Sequence, residues 1–188
     1  QTTNAEAAET VVLPPAETVA IAVQIQNAKA EAHRDGKSEK GTLKDVAKQV
    51  FSSKYGDSLT AVVKSTNIEG KPYKVIAYKG VSGEIVNNRI ATLQDVIAVS
   101  KIKEIIENGN YVGSKKSELK GTRNSEAIRY DYFTTQIKIG SKIYSANWDV
   151  KVFPESNQYY IHRINSITLK ENSGSDAYVE GAKYVPAA

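Results

Sequence analysis

The sequence predicts an α+β domain whose helices pack on one face of a curved antiparallel β-sheet. Two observations carry this. Helix-spaced apolar stripes occupy 43–51 and 93–106, with a strand pair at 59–80 between them. Segments of alternating apolar and polar residues, separated by turn signals, then fill 127–169. Helices early and a meander late is the pattern of segregated layers.

The elements follow in order. Residues 1–15 (QTTNAEAAETVVLPP) read as an unstructured arm. Pro14–Pro15 opens a helix over 16–32, since a proline in the first turn gives up no hydrogen bond. Its apolar stripe is modest, at 19, 20, 23 and 25. Residues 33–41 form a polar linker. A second helix starts with Thr42 as N-cap and Asp45 near its free N–H groups. It buries Leu43, Val46, Ala47, Val50 and Phe51 and ends at Gly56. Strands at 59–66 and 71–80 meet at the turn 67–70, where Gly70 accepts a positive φ. A third helix is capped by Thr92 with Asp95 in the capping-box place. Its buried stripe is Leu93, Val96, Ile97, Ile102, Ile105 and Ile106, and Gly109 terminates it. A basic polar loop spans 113–126. Strands 127–140 and 142–153 join through Gly140–Ser141, with Trp148, Val150 and Val152 alternating against Asn147, Asp149 and Lys151. After a turn at 154–157, the last strand runs 158–169. The implied organisation is an arm, helix and linker at 1–41, a core domain at 42–170, and a loose tail at 171–188.

Composition narrows the chemistry. Cysteine is absent, which excludes disulfides, thiolate metal sites and cysteine nucleophiles. With only His33 and His162, a multi-histidine metal centre is excluded too, and no cofactor motif is present. No apolar run reaches the length of a membrane span. Methionine is absent even from position 1, so the chain is expected to be a piece processed from a larger precursor. The net charge of +4 hides a basic middle, +8 over 42–170, between two ends of −2 each. A basic domain of this size is compatible with RNA or another polyanion, and equally with lysines that keep the surface solvated. The segments 1–32 and 171–188 are expected to meet a protein partner.

A resemblance can be placed on particular residues. An N-x-x-G turn, NIEG, leads into YKVIAYKG; a helix ends in IIENGNYVG (105–113); a hairpin reads YDYFTTQIKIGSKIY (130–144); a closing strand carries YYIHRI (159–164). Over residues 59–168 this arrangement resembles the domain found inside large polyvalent proteins of phages and conjugative elements, grouped with the barnase–EndoU–colicin–RelE-like nucleases. The resemblance implies an RNase-like fold and metal-free RNA cleavage by attack of the ribose 2′-hydroxyl on the neighbouring phosphate. Such cleavage needs a base, an acid and cations for the phosphorane. Members of that group often carry a histidine or lysine just before the helix. Here that segment, GVSGEIVNNRIAT, offers only Arg89.

His162 is the one side chain that titrates near neutrality in a plausible place, as general acid or base, or as a strand histidine packed on tyrosine. His33 lies in the linker. Arg89, Arg129 and Arg163 are candidates for phosphate contacts, with Arg89 and Arg163 placed beside the phosphate in a catalytic reading. Lys115, Lys116, Lys120 and Arg123 are candidates to track a nucleic-acid backbone. Tyr130, Tyr132, Tyr144, Tyr159 and Tyr160 either stack bases or fill the sheet. Asp131 and Asp149 are expected to face each other across the hairpin. No phosphate-binding glycine loop is present. Three functions remain open: a virion-associated or otherwise delivered protein of a mobile element with an inactive nuclease-like domain; a toxin-like RNA endonuclease using His162; and a secreted or periplasmic binding domain. The first two place the chain in the virion or the host cytoplasm.

Overall fold

The structure, a computed structural model of the chain, describes residues 8–68, 71–80, 93–117, 127–155 and 159–172. The elements are β1 (Val11–Val12), α1 (Pro15–Arg34), α2 (Glu39–Tyr55), β2 (Ser58–Ile68), β3 (Lys71–Tyr78), α3 (Leu93–Val99), α4 (Ile102–Glu107), β4 (Asn110–Lys116), β5 (Arg129–Ile139), β6 (Lys142–Glu155) and β7 (Tyr159–Glu171). The strands form one curled sheet, a half-barrel, in the order β1-β5-β6-β7-β3-β2, with β4 also paired to β5. The four helices share one core with the inner face of that sheet.

The alternation read from the sequence sets the faces. In β5 and β6, the pairs Ile137↔Tyr144, Thr135↔Ala146, Phe133↔Trp148 and Asp131↔Val150 point inward. The residues between them, among them Tyr132↔Asp149 and Tyr130↔Lys151, point outward. Trp148 anchors the centre. Its ring stacks on Phe133 at 4.4 Å, and its Nε1 donates to Thr135 Oγ1 at 3.0 Å. Thr135 in turn donates to the Ile105 carbonyl at 2.7 Å, tying the sheet to α4. Gly109 lies against the same ring, where a Cβ would fall inside the contact distance of Trp148 Cζ2.

The sheet is mixed, not antiparallel throughout. β1 runs parallel to β5, and β3 parallel to β7. The second pairing arises because the last strand of the meander closes beside the early hairpin. The arm assigned to 1–15 is in part folded. Val11 and Leu13 are buried, and Leu13 N donates to the Lys138 carbonyl at 3.1 Å, so this stretch covers the part of the β5 edge that β4 leaves open. Helix α1 joins the core through Ile21 and Ile25. Glu17 in its first turn bridges Lys54 of α2 and Lys101 at the α3–α4 junction, at 3.2 and 3.0 Å. The hydrogen bond from Lys101 leads the causes that hold the Glu17 carboxyl below its ordinary range.

Helix α2 starts three residues before the Thr42 cap, because Ser38 Oγ accepts from Gly41 N at 3.2 Å. The linker 33–41 is therefore mostly helix. The third helix is two, broken at Ser100–Lys101. The break is satisfied from outside: the Tyr55 hydroxyl donates to the Ser100 carbonyl at 2.9 Å and accepts from Lys103 N. Thr92 lies outside the described residues. The polar loop begins as strand β4, and β6 continues through Pro154 into the expected turn.

Candidate functional site

At the end of the inner face reached by the first residues of β5, apolar side chains give way to polar ones. Register places Lys116, Arg129, Val152 and His162 in one transverse row, and Ser114, Asp131, Val150 and Ile164 in the next. Tyr73 of β3 completes the group, its ring stacked on the His162 imidazole at 4.0 Å and 19°.

Asp131 is fully buried and holds the cluster together. Its Oδ2 accepts from the Tyr73 hydroxyl at 2.6 Å; its Oδ1 accepts from Ser114 Oγ at 2.6 Å and from Arg129 Nε at 3.0 Å. The Tyr111 hydroxyl shares a hydrogen bond with Ser114 Oγ and extends the chain to the edge strand. A buried carboxylate is tolerated only when it is paired and hydrogen-bonded, and this one is both. Burial first, and then the bond to Asp131, drives the Tyr73 hydroxyl far above the ordinary phenol range. It is a fixed donor and not a proton-transfer group.

His162 is half-buried, and its Nδ1 lies 3.1 Å from the Lys74 carbonyl. A carbonyl only accepts, so Nδ1 carries the proton and neutral His162 presents a lone pair at Nε2. Burial is the leading cause that lowers its pKa; the Arg129 charge acts the same way, while the Lys74 carbonyl and Asp131 oppose it. The imidazole is therefore neutral at pH 7 and electronically able to act as a base. Lys116 and Arg129 are the cations of its row among the described residues.

The other sequence candidates are separated from this group. Arg163 follows His162 on β7 and so points to the outer face, where its guanidinium lies 4.7 Å from the Tyr78 ring. Arg163 and His162 therefore lie on opposite faces of the sheet. Arg89, Lys120 and Arg123 lie outside the described residues. Lys115 and Lys116 sit on β4, not on a loop, and face opposite sides of the sheet. Asp131 and Asp149 do not face each other: Asp149 is on the outer face, accepting from Asn165 and Ser166. Tyr144 is buried inside, while Tyr130 and Tyr132 are outside; the side chains of Tyr159 and Tyr160 are not among those described. His33 is exposed in the last turn of α1. Sequence reasoning missed Tyr73, Ser114 and Tyr111. The signal for Tyr73 was the alternation of KPYKVIA, which puts Tyr73 on the same face as Val75 and Ala77. Ser114 and Tyr111 needed β4, which a polar sequence hides.

Among the described residues no group of three acidic or histidine side chains is placed to hold a metal ion, and no helix is long and apolar enough to cross a membrane. No curated protein and no solved structure matches the chain. A family model, large polyvalent protein-associated domain 3, matches residues 40–160, from the first turn of α2 into β7. The match spans the second helix, the broken helix and the strands that carry Tyr73, Ser114, Arg129 and Asp131. The chain belongs to the large polyvalent protein-associated domain 3 family, and that membership implies a phage or mobile-element polyvalent-protein context.

Proposed function

We propose that this chain is a delivered, virion-associated component of a phage or mobile element, cut from a larger polyvalent protein, whose nuclease-like domain engages RNA or another polyanion without cleaving it efficiently. One observation carries the non-catalytic part. Among the described residues of the cluster, His162 is the side chain whose ordinary pKa lies near neutrality, while both Asp131 oxygens accept hydrogen bonds and the Tyr73 hydroxyl is held protonated. Cleavage through a 2′-hydroxyl needs proton transfer at both ends of the scissile bond, and each general acid or base contributes about 10²–10⁴-fold. A single histidine with Lys116 and Arg129 supplies charge stabilisation and one proton-transfer step. Arginine is a poor base because it stays protonated. The tightly satisfied carboxylate reads as support for the strand ends, and the cationic surface reads as the polyanion contact.

A second reading, a metal-free RNA endonuclease, is favoured by one feature: His162 is anchored through Nδ1 with its pKa lowered, which leaves Nε2 as a base at pH 7. Incubation of total RNA without added metal separates the two. Neither wild-type protein nor His162→Ala is expected to cleave robustly. Robust cleavage lost in His162→Ala overturns the proposal in favour of the endonuclease. Robust cleavage that survives the substitution also overturns it and moves the active site elsewhere.

A further inference from the structure

We propose that the outer face of the half-barrel binds a single-stranded nucleic acid, laid across β4, β5, β6 and β7. This rests on the polyanion reading above and assigns the face and the form of the ligand. The inner face is filled by the helices, while the outer face shows Val62 and Tyr78 at 39% and 43% exposure.

Register carries the argument. Lys115 pairs with Tyr130, Tyr130 with Lys151, Lys151 with Arg163, and Arg163 with Ile76. Directly paired residues share a face, so these side chains form one transverse row on the outside. Three cations and a tyrosine thus cover four adjacent strands, about 14 Å at the usual strand spacing. Tyr132 lies next to this row along β5, and Tyr78 lies under the Arg163 guanidinium. Asp149, an acidic residue of this face, is engaged by Asn165 and Ser166. Further along, the same face carries the bonded pairs Thr134 with Asn147 and Gln136 with Ser145, with exposed Lys170 in the Gln136–Ser145 row and Lys138 beyond it. The rings of Tyr78, Tyr130 and Tyr132 thus lie together with Lys115, Lys151 and Arg163 at one end, and Lys138 and Lys170 extend the positive charge along the face.

A polyphosphate complements the cations, and the rings select its form. Tyrosines interleaved with cations stack on unpaired bases, which a duplex keeps inside itself. The surface is also convex. A rigid duplex meets a convex surface at few phosphates, whereas a single strand bends to follow it.

The test uses the full chain and fluorescein-labelled 12-nucleotide oligo(U), oligo(dT) and a 12-base-pair RNA duplex, read by fluorescence anisotropy between 50 and 200 mM salt. Wild-type protein is expected to bind both single strands more tightly than the duplex. A preference for oligo(U) would name RNA as the source, and equal binding would name single strands of either sugar; both uphold the proposal. Lys115→Glu/Arg163→Glu should lose at least tenfold in affinity, and the milder Lys115→Gln/Arg163→Gln should lower the salt slope by about 1.4, two phosphate contacts on a single strand. Tyr130→Leu/Tyr132→Leu should lose at least about fivefold with the slope unchanged. Arg34→Glu/Lys37→Glu, which changes net charge equally on an exposed helix end, should bind nearly as wild type. Row variants without effect, an equal loss in the Arg34/Lys37 control, or tighter duplex binding each overturn the proposal. If oligo(U) still binds while the row variants are silent, the outer face falls and the polyanion reading survives; if wild type binds nothing, both fall.

Discussion

Replacing Tyr73 by Phe removes one hydroxyl and keeps the ring that stacks on His162 and lies 5.3 Å from Phe133. The lost atom is the donor to Asp131 Oδ2, on a carboxylate with no exposed surface. Water cannot replace it without opening the end of the half-barrel. A hydrogen bond to a charged group is worth about 1.5–3 kcal/mol, and leaving a buried acceptor unmade falls at the costly end of the hydrogen-bond scale. A loss of about 2 kcal/mol is expected, close to 1 M in urea midpoint at an m-value near 2 kcal/mol/M. The corresponding fall in Tm is about 4–8 °C for a chain of this size. Urea titration followed by circular dichroism measures the midpoint and the slope together. Combining Tyr73→Phe with Asp131→Asn closes a double-mutant cycle, and a coupling of at least about 1 kcal/mol is expected for groups in direct contact. A change under about 0.5 kcal/mol for Tyr73→Phe, at unchanged slope, would refute the claim that this hydroxyl supports the buried carboxylate.

Two further outcomes follow from the same geometry. Gly109→Ala drives a methyl into Trp148, so a stability loss of about 1–3 kcal/mol is expected from thermal unfolding, and recovery on pairing it with Trp148→Phe would identify the clash as the cause. For His162 the folded-state pKa lies below the unfolded value of about 6.5, so the unfolded chain takes up the proton first and stability falls as pH drops from about 6.5 through the folded pKa; urea midpoints from pH 7.5 to 5 should decline less in His162→Phe than in wild type, and parallel curves would contradict the assignment.

The legible parts of the fold were those written in strong periodicity. Val46, Phe51, Ile97, Ile105 and Trp148 were all placed in the core by spacing alone, and all are buried. Where polar side chains carry the structure, the sequence was silent. Strand β4 reads NYVGSKK, and it forms because the edge of β5 offers a hydrogen-bonding partner, not because its own residues demand a strand. The break between α3 and α4 is invisible in IAVSKIKEII, since the hydroxyl that satisfies it belongs to Tyr55 on α2. The candidate site was half legible. His162 was found by its chemistry and Arg129 by its charge, but Asp131 was set against the wrong partner. Its true partners are Tyr73 and Ser114, on β3 and β4, and only tertiary pairing brings those strands to it.

The short parallel pairing at the N-terminal end bears on how the chain is made. Val11 joins Ile137, roughly 125 residues later, so at ribosomal rates of about 5–20 residues per second that partner emerges some 6–25 s after it. During that interval the apolar pair Val11 and Leu13 has no edge to cover. Contacts this distant in sequence slow folding, and the β5 edge between Ile137 and Lys138 cannot recruit its own chain until the segment upstream returns to it. The seal of the sheet is thus translated before the strand it seals and is among the last pieces docked. A version that began downstream of Leu13 would leave that edge open to neighbouring copies of the same chain.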